Sequence, residues 1–427
     1  MTALVLFSVV AVCFALGVPI AFSLGFAGLA AIIYAGDLPL MLVVQKLQAS
    51  NNSFPFLAIP LFTFAGSILL HGGLSKRLVE LANYITWRLR IPGGLAVVAV
   101  LGSMFFGAIS GSPTATVAAV GGILIPSMIE KGYPPSFCGA VQAAAGPLGS
   151  MIPPSIGLIV YGVCMNQSIS RLFMATVFPG LLMGVVLMIV CAVLVKKRGL
   201  ARAYVDPDKS GFQIFREAFW ALLMPIIILG GIYGGVFTPT EAAGVSVIYG
   251  YIAGFFLYRE LNFSRLWKST IDAAISTAVV MVIIDFSSLF SWLVASYQIP
   301  QLISAMVLDL TSNPLAILVI INVVLLIAGC FIETSPAIII FAPIFWPLAQ
   351  QIGLDPIHFG IIIVSNLLIG LVTPPVGLCL FMASRVSKAP VDDIIRNVWI
   401  PLGAITFCLI PINMFPQLSL WLLQFMK

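Results

Sequence analysis

The chain is short of charge. Only 8% of its 427 residues are Asp, Glu, Lys or Arg, 61% are hydrophobic, and the mean hydropathy is +1.13. Soluble domains carry about a quarter charged residues, so a water-soluble globule is excluded. Histidine is almost missing: His71 and His358 form no H-E-x-x-H or other ligand cluster, which leaves no material for a histidine proton relay. The cysteines at 13, 138, 164, 191, 330, 379 and 408 have no C-x-x-C spacing and an odd total, so they read as small apolar residues and not as a disulfide framework. There is no Walker motif for ATP hydrolysis and no constellation that would support a membrane-embedded enzyme. The net charge of +5 comes from basic residues scattered between apolar runs with no basic tail, which argues against a nucleic-acid partner.

What remains is apolar sequence in runs of roughly 17 to 30 residues, long enough for helices to cross a bilayer core. These runs lack the in/out alternation of membrane barrel strands. The first begins at Thr2 with no basic leader segment and no small-residue cleavage site, so it is expected to be a retained span. The expected fold is an all-α polytopic membrane protein.

Two stretches repeat one succession of glycines and prolines. The first contains Ser110-Gly111-Ser112-Pro113, Pro126, Pro134-Pro135 and Ile152-Pro153-Pro154; the second contains Glu333-Thr334-Ser335-Pro336, Pro347, Asp355-Pro356 and Thr373-Pro374-Pro375. Pro126 and Pro347, like Pro153 and Pro374, stand 221 residues apart. Interrupted apolar segments at matching places in two halves point to a secondary transporter's binding site.

Basic residues orient the repeats. If the polar loop from Lys196 to Arg216 is cytoplasmic and segments 92–130 and 314–350 are hairpins, only Lys46, Arg171 and Lys427 fall on the outer side, in accord with the positive-inside rule. The polar tips favour re-entry, because irregular backbone at membrane depth survives only inside protein or beside a wet cavity. The first hairpin then enters from the cytoplasm and the second from outside, an inverted pair. Segments 73–90 and 258–272 mix charge with Leu, Ile and Trp at helical spacing and read as two amphipathic interfacial helices.

Each tip places a Ser before a Pro, the pattern of an N-cap followed by the first helical position. Helices starting at Ser112-Pro113 and Ser335-Pro336 would aim free N–H groups at an anion, while the preceding arms offer carbonyls to a hard cation. Candidate substrate contacts are Ser110, Ser112, Thr114, Ser150, Ser155, Glu333, Thr334 and Ser335. Breaks expected over 146–154 and 366–375 would add carbonyls to a sodium set of Ser110, Gly111, Ser112, Gly149, Ser150, Pro153, Thr334, Ser335, Gly370, Thr373 and Pro374. Ser110 and Glu333 stand out as the unequal members of the two tips. Acids within membrane sequence are functional candidates, so Glu333 and Asp285 also keep a proton-coupled reading open. Thr238-Pro239-Thr240-Glu241 matches a capping box with Pro at the first helical position and is expected to be structural.

Taken together, these segments resemble the large membrane subunit of tripartite ATP-independent periplasmic (TRAP) transporters. The likeness runs through Gly17-Val18-Pro19, Leu57-Ala58-Ile59-Pro60, Gly73-Leu74-Ser75-Lys76-Arg77, the Ser110-Gly111-Ser112 tip, Phe237-Thr238-Pro239-Thr240-Glu241-Ala242, and Asp355-Pro356-Ile357-His358 onward to Thr373-Pro374-Pro375-Val376-Gly377. The resemblance implies an inverted-repeat, elevator-type, sodium-coupled importer of organic acids such as sialic acids, C4-dicarboxylates or sugar acids. It also implies a bacterial inner-membrane location and two partners: a small four-helix membrane subunit as a separate chain, and a periplasmic substrate-binding protein. No cofactor beyond the coupling sodium ions is expected. The division expected is scaffold over 1–91, first transport repeat over 92–169 with a broken helix at 136–162, scaffold over 170–313, second repeat over 314–388 with a broken helix at 357–383, and a last span over 389–427.

Overall fold

The computed structural model describes residues 1–200 and 209–426; part of the polar loop from Lys196 to Arg216 and Lys427, both used above for orientation, lie outside the described residues. Helices dominate, and no strand occurs among the described residues. Eight of these helices are long and apolar enough to cross a membrane, or nine if the bent pair Pro135–Met151 and Ile156–Cys164 is one span.

The first half opens with α1 (Thr2–Ala15), α2 (Ile20–Ala35), α3 (Met41–Asn51) and α4 (Ala58–His71). The charged segment expected over 73–90 is α5 (Leu74–Arg88), which packs on the hairpin that follows. That hairpin is α6 (Gly94–Ser110) and α7 (Pro113–Glu130), and the broken helix after it is α8 (Pro135–Met151) and α9 (Ile156–Cys164), bent by 46°. Then come α10 (Ile169–Ala175), α11 (Val177–Lys197), α12 (Gly211–Tyr233) and α13 (Pro239–Ile252). The second half has α14 (Phe263–Ser296), α15 (Ile299–Leu310), a hairpin of α16 (Pro314–Phe331) and α17 (Thr334–Gln351), a broken helix of α18 (Pro356–Gly370) and α19 (Leu378–Ser387), and finally α20 (Val391–Phe407) and α21 (Leu409–Met414).

Three expectations change. The segment 258–272 is not a separate amphipathic helix: α14 runs unbroken for 34 residues, because Asn262 caps its start and no Gly or Pro interrupts it. The breaks are shorter than 146–154 and 366–375, since helix persists through Met151 and Gly370 and only 152–155 and 371–377 are irregular. Pro147 sits inside α8, and both Pro153-Pro154 and Pro374-Pro375 are cis. Residue 170 is also not a packing boundary. Helix α11 packs on α6, α8 and α20, and α20 packs on α8, whereas α12 and α13 pack on α5 and α4.

Packing thus groups the helices into a frame of α1–α4 with α12–α14 and an inner body of α6–α11 with α16–α21; α5, on both α12 and α6, and α15, on α17 more than on α14, bridge the two. Within the inner body the two repeats interlock, with α19 lying on α7 and α8 while α9 lies on α17. Each hairpin's first arm also approaches its own broken helix at paired glycines, Gly107 with Gly149 and Gly329 with Gly370. A Cβ at Gly149 would stand 2.6 Å from the Cα of Gly107, and one at Gly370 would stand 2.5 Å from the Cα of Gly329. Small residues permit this approach where lipid supplies no hydrophobic drive between helices.

Candidate functional site

The two tips meet at one cavity of about 520 Å³ between the frame and the inner body. Ser112 caps α7 as its spacing predicts, accepting from the Ala115 N–H at 3.4 Å ahead of Pro113. Gly111 closes α6 in the left-handed conformation at φ 63°, which glycine adopts freely. Ser110 Oγ lies 3.3 Å from Thr116 Oγ1, which donates to the Ser112 carbonyl at 2.8 Å, so a small hydroxyl chain stiffens this tip.

The second tip is built differently. Helix α17 starts two residues earlier than Ser335-Pro336 suggests: Glu333 is its N-cap, Thr334 its first residue, and no side chain caps it. Ser335 is therefore inside the first turn. In this register Ser112 matches Glu333, at the same 221-residue spacing as the prolines, so the unequal pair is Ser112 and Glu333, not Ser110 and Glu333.

All eight candidate substrate contacts line this cavity: Ser110, Ser112, Thr114, Ser150, Ser155, Glu333, Thr334 and Ser335. Three of them, Ser150, Ser155 and Thr334, are at most 5% exposed, and their hydroxyls have no hydrogen-bond partner in the protein. Buried hydroxyls without partners are rare and costly, which marks them as groups waiting for a ligand or water. Gly149, Pro153, Gly370, Thr373 and Pro374 are not in the lining; they lie behind it in the joints between hairpin and broken helix. There the Gly370 carbonyl accepts from the Thr373 N–H at 2.9 Å, and the Thr373 carbonyl accepts from Cys330 Sγ at 2.9 Å.

The opposite wall belongs to the frame. Thr63, Ser67 and His71 of α4 and Asp272 and Ser276 of α14 complete the lining. His71 Nδ1 is 3.0 Å from the Ser67 carbonyl and its Nε2 is 3.7 Å from Asp272 Oδ2. The sequence assigned none of these residues to the site, and named His71 only to exclude a relay. Asp272 is one of several charged and hydroxyl residues at this end of α14, among them Arg265, Lys268, Ser269 and Ser276, and nothing local ties it to His71, about 200 positions away. Asp285, by contrast, is turned away: it accepts from Ser50 Oγ and, at 2.6 Å, from Asn51 Nδ2 at the end of α3, and it is not part of the lining. At the far surface Thr238 and Glu241 make the expected capping box on α13, with Glu241 Oε2 accepting from the Thr238 N–H at 2.8 Å and the Glu241 N–H donating to Thr238 Oγ1 at 3.3 Å.

Residues 7–418 match the family model described as "Tripartite ATP-independent periplasmic transporter, DctM component". The chain belongs to this family. It is 42% identical, over 93% of both chains, to the C4-dicarboxylate TRAP transporter large permease protein of Pseudomonas aeruginosa. It is 36% identical, over 95% of both, to the sialic acid TRAP transporter large permease protein of Vibrio cholerae. It is 45% identical over 96% of its own length to the isethionate TRAP transporter permease DctMQ of Oleidesulfovibrio alaskensis, of which it spans 64%. The YdaH transporter of Alcanivorax borkumensis is similar in fold, with a TM-score of 0.58 over 89% of this chain and 90% of that one at 18% identity. This chain is thus a TRAP large permease of the bacterial inner membrane, with two helical hairpins and two interrupted helices.

Proposed function

We propose that this chain carries an organic acid anion across the membrane together with sodium, receiving it from a periplasmic binding protein and working beside a small membrane subunit. The observation that carries this reading is the convergence of two helix starts, at Ser112 and Glu333, on one cavity whose buried hydroxyls have no protein partner. Helix N-termini supply backbone donors and partial positive charge to an acid group. The hydroxyls of Ser110, Ser112, Thr334 and Ser335, with carbonyls in the tip joints, supply neutral oxygen for a hard cation. The bound cation in turn offsets the anion in a cavity that has acids but, among the described residues, no Lys or Arg in its lining. Relatives named for C4-dicarboxylates, sialic acid and isethionate all carry acids, which supports the anion class.

The cavity's place between two packed bodies suits an elevator movement, in which the inner body slides along the frame with the tips as its cargo-holding end. Uptake of radiolabelled acids into proteoliposomes holding the permease, its small subunit and the binding protein tests the coupling. Uptake should need an inward sodium gradient. Equal uptake without sodium would remove the coupling, and uptake driven by a proton gradient in sodium-free buffer would favour the reading that uses Glu333, which does face the cavity.

A further inference from the structure

Resting on the organic-anion reading above, we infer that the cavity selects acids with one acidic group and a far end bearing hydroxyl or amine donors, and that Asp272 with His71 is the frame-side contact that rejects a second carboxylate. The first tip touches the frame at Gly66, where an added Cβ would lie 3.2 Å from the Cα of Ser110. His71 follows five residues later on the same helix, about 7.5 Å along its axis at 1.5 Å per residue. An acid of four to six carbons held at the tips therefore places its far end beside His71 and Asp272.

That far wall offers acceptors. Nδ1 of His71 faces a backbone carbonyl at 3.0 Å, which can only accept, so Nδ1 carries a proton. In the neutral ring Nε2 is then an acceptor; in the charged ring its proton faces Asp272 Oδ2, 3.7 Å away. Neither state leaves surplus positive charge for a second carboxylate. Among the described residues no Lys or Arg lines the cavity, and Glu333 adds a further acid. A substrate hydroxyl or amine can donate to Asp272, His71 Nε2 or the Ser276 hydroxyl, whereas a carboxylate meets the Asp272 charge at short range in a partly wet site. Such repulsion is worth about tenfold or more in affinity.

Equilibrium binding of labelled gluconate, threonate (a four-carbon hydroxy acid) and succinate to the purified full chain in sodium buffer tests this. The expected result is that gluconate or threonate binds at least about tenfold more tightly than succinate, and that Asp272→Asn brings succinate about tenfold closer while Asp272→Glu keeps the wild-type order. Gel filtration of each variant checks its fold. Succinate binding as tightly as the hydroxy acids, or an unchanged ratio in Asp272→Asn, would overturn the selectivity alone. So would loss of succinate binding in His71→Gln, which would show the ring acting as a cation. If none of the three acids binds the wild-type chain, the organic-anion reading falls with it.

Discussion

Replacing Gly149 by Ala probes the joint that holds the first tip against its broken helix. The new Cβ would lie 2.6 Å from the Cα of Gly107 and 2.5 Å from the Ser103 carbonyl oxygen. Both are backbone atoms of α6, so no side chain can rotate aside. Carbon atoms pack at about 3.5 to 4.0 Å, which requires α6 and α8 to separate by about 1 Å. Overpacking of this kind costs about 1–3 kcal/mol. The same shift moves Ser110 and Gly111, at the end of α6, relative to the break at 152–155. We expect a lower Tm in detergent and a fall in sodium-dependent uptake of about tenfold or more at equal membrane content. The Gln142 Nε2 to Ser103 Oγ bond, 3.0 Å in the same interface, should be strained as well. Gly122→Ala on α7 is the control, since nothing lies within 4 Å of its added Cβ. A Gly149→Ala chain with wild-type Tm and uptake would refute the close-packed joint.

Ser112→Ala removes the cap of α7 and should lower stability by about 1 kcal/mol while abolishing uptake; Glu333→Gln, which caps nothing, should impair uptake with unchanged Tm. Unimpaired uptake by both would move the site elsewhere. Thr238→Ala breaks the capping box on α13 and should lower Tm by an amount matching about 1 kcal/mol, with transport per folded molecule retained. Arg77→Ala deletes a 2.7 Å ion pair to Glu260 and a stacking contact 4.1 Å above Tyr258, so the arm helix α5 should loosen by about 1–2 kcal/mol, read as faster amide exchange over 74–88. Lys209, held above the ordinary lysine range first by its bond to Glu80 and then by Glu217, keeps its clasp on α5 below that range and loses it as pH rises through the raised value; protection of α5 against amide exchange, corrected for the intrinsic rate, should thus stay constant between about pH 6 and pH 9 and fall above the lysine range.

Local features were legible because their causes are local. Hydrocarbon-length apolar runs demand helices, Ser112-Pro113 and Thr238-Pro239-Thr240-Glu241 announce helix starts, and paired prolines end α8 and mark the break after α18 within a few residues. Even here the near-miss at Ser335 is instructive: a Ser-Pro pair permits a cap, yet the turn before α17 begins at Glu333 because the second tip follows the register of the repeat. The continuity of α14 was readable too, from the absence of any breaker between Phe263 and Ser296.

Taken alone, then, the sequence determined a membrane-embedded inverted repeat of two hairpins, each followed by a broken helix, since hydropathy, caps and charge bias act over one helix or one loop. Tertiary structure alone decided how α9 and α19 cross between the repeats, that α11 and α20 join the inner body, and that His71 and Asp272 face the tips. Those facts depend on which helices touch. Within a bilayer that choice is made by glycine-permitted close approach and buried polar contacts, which join positions far apart in the chain and leave no periodic mark upon it.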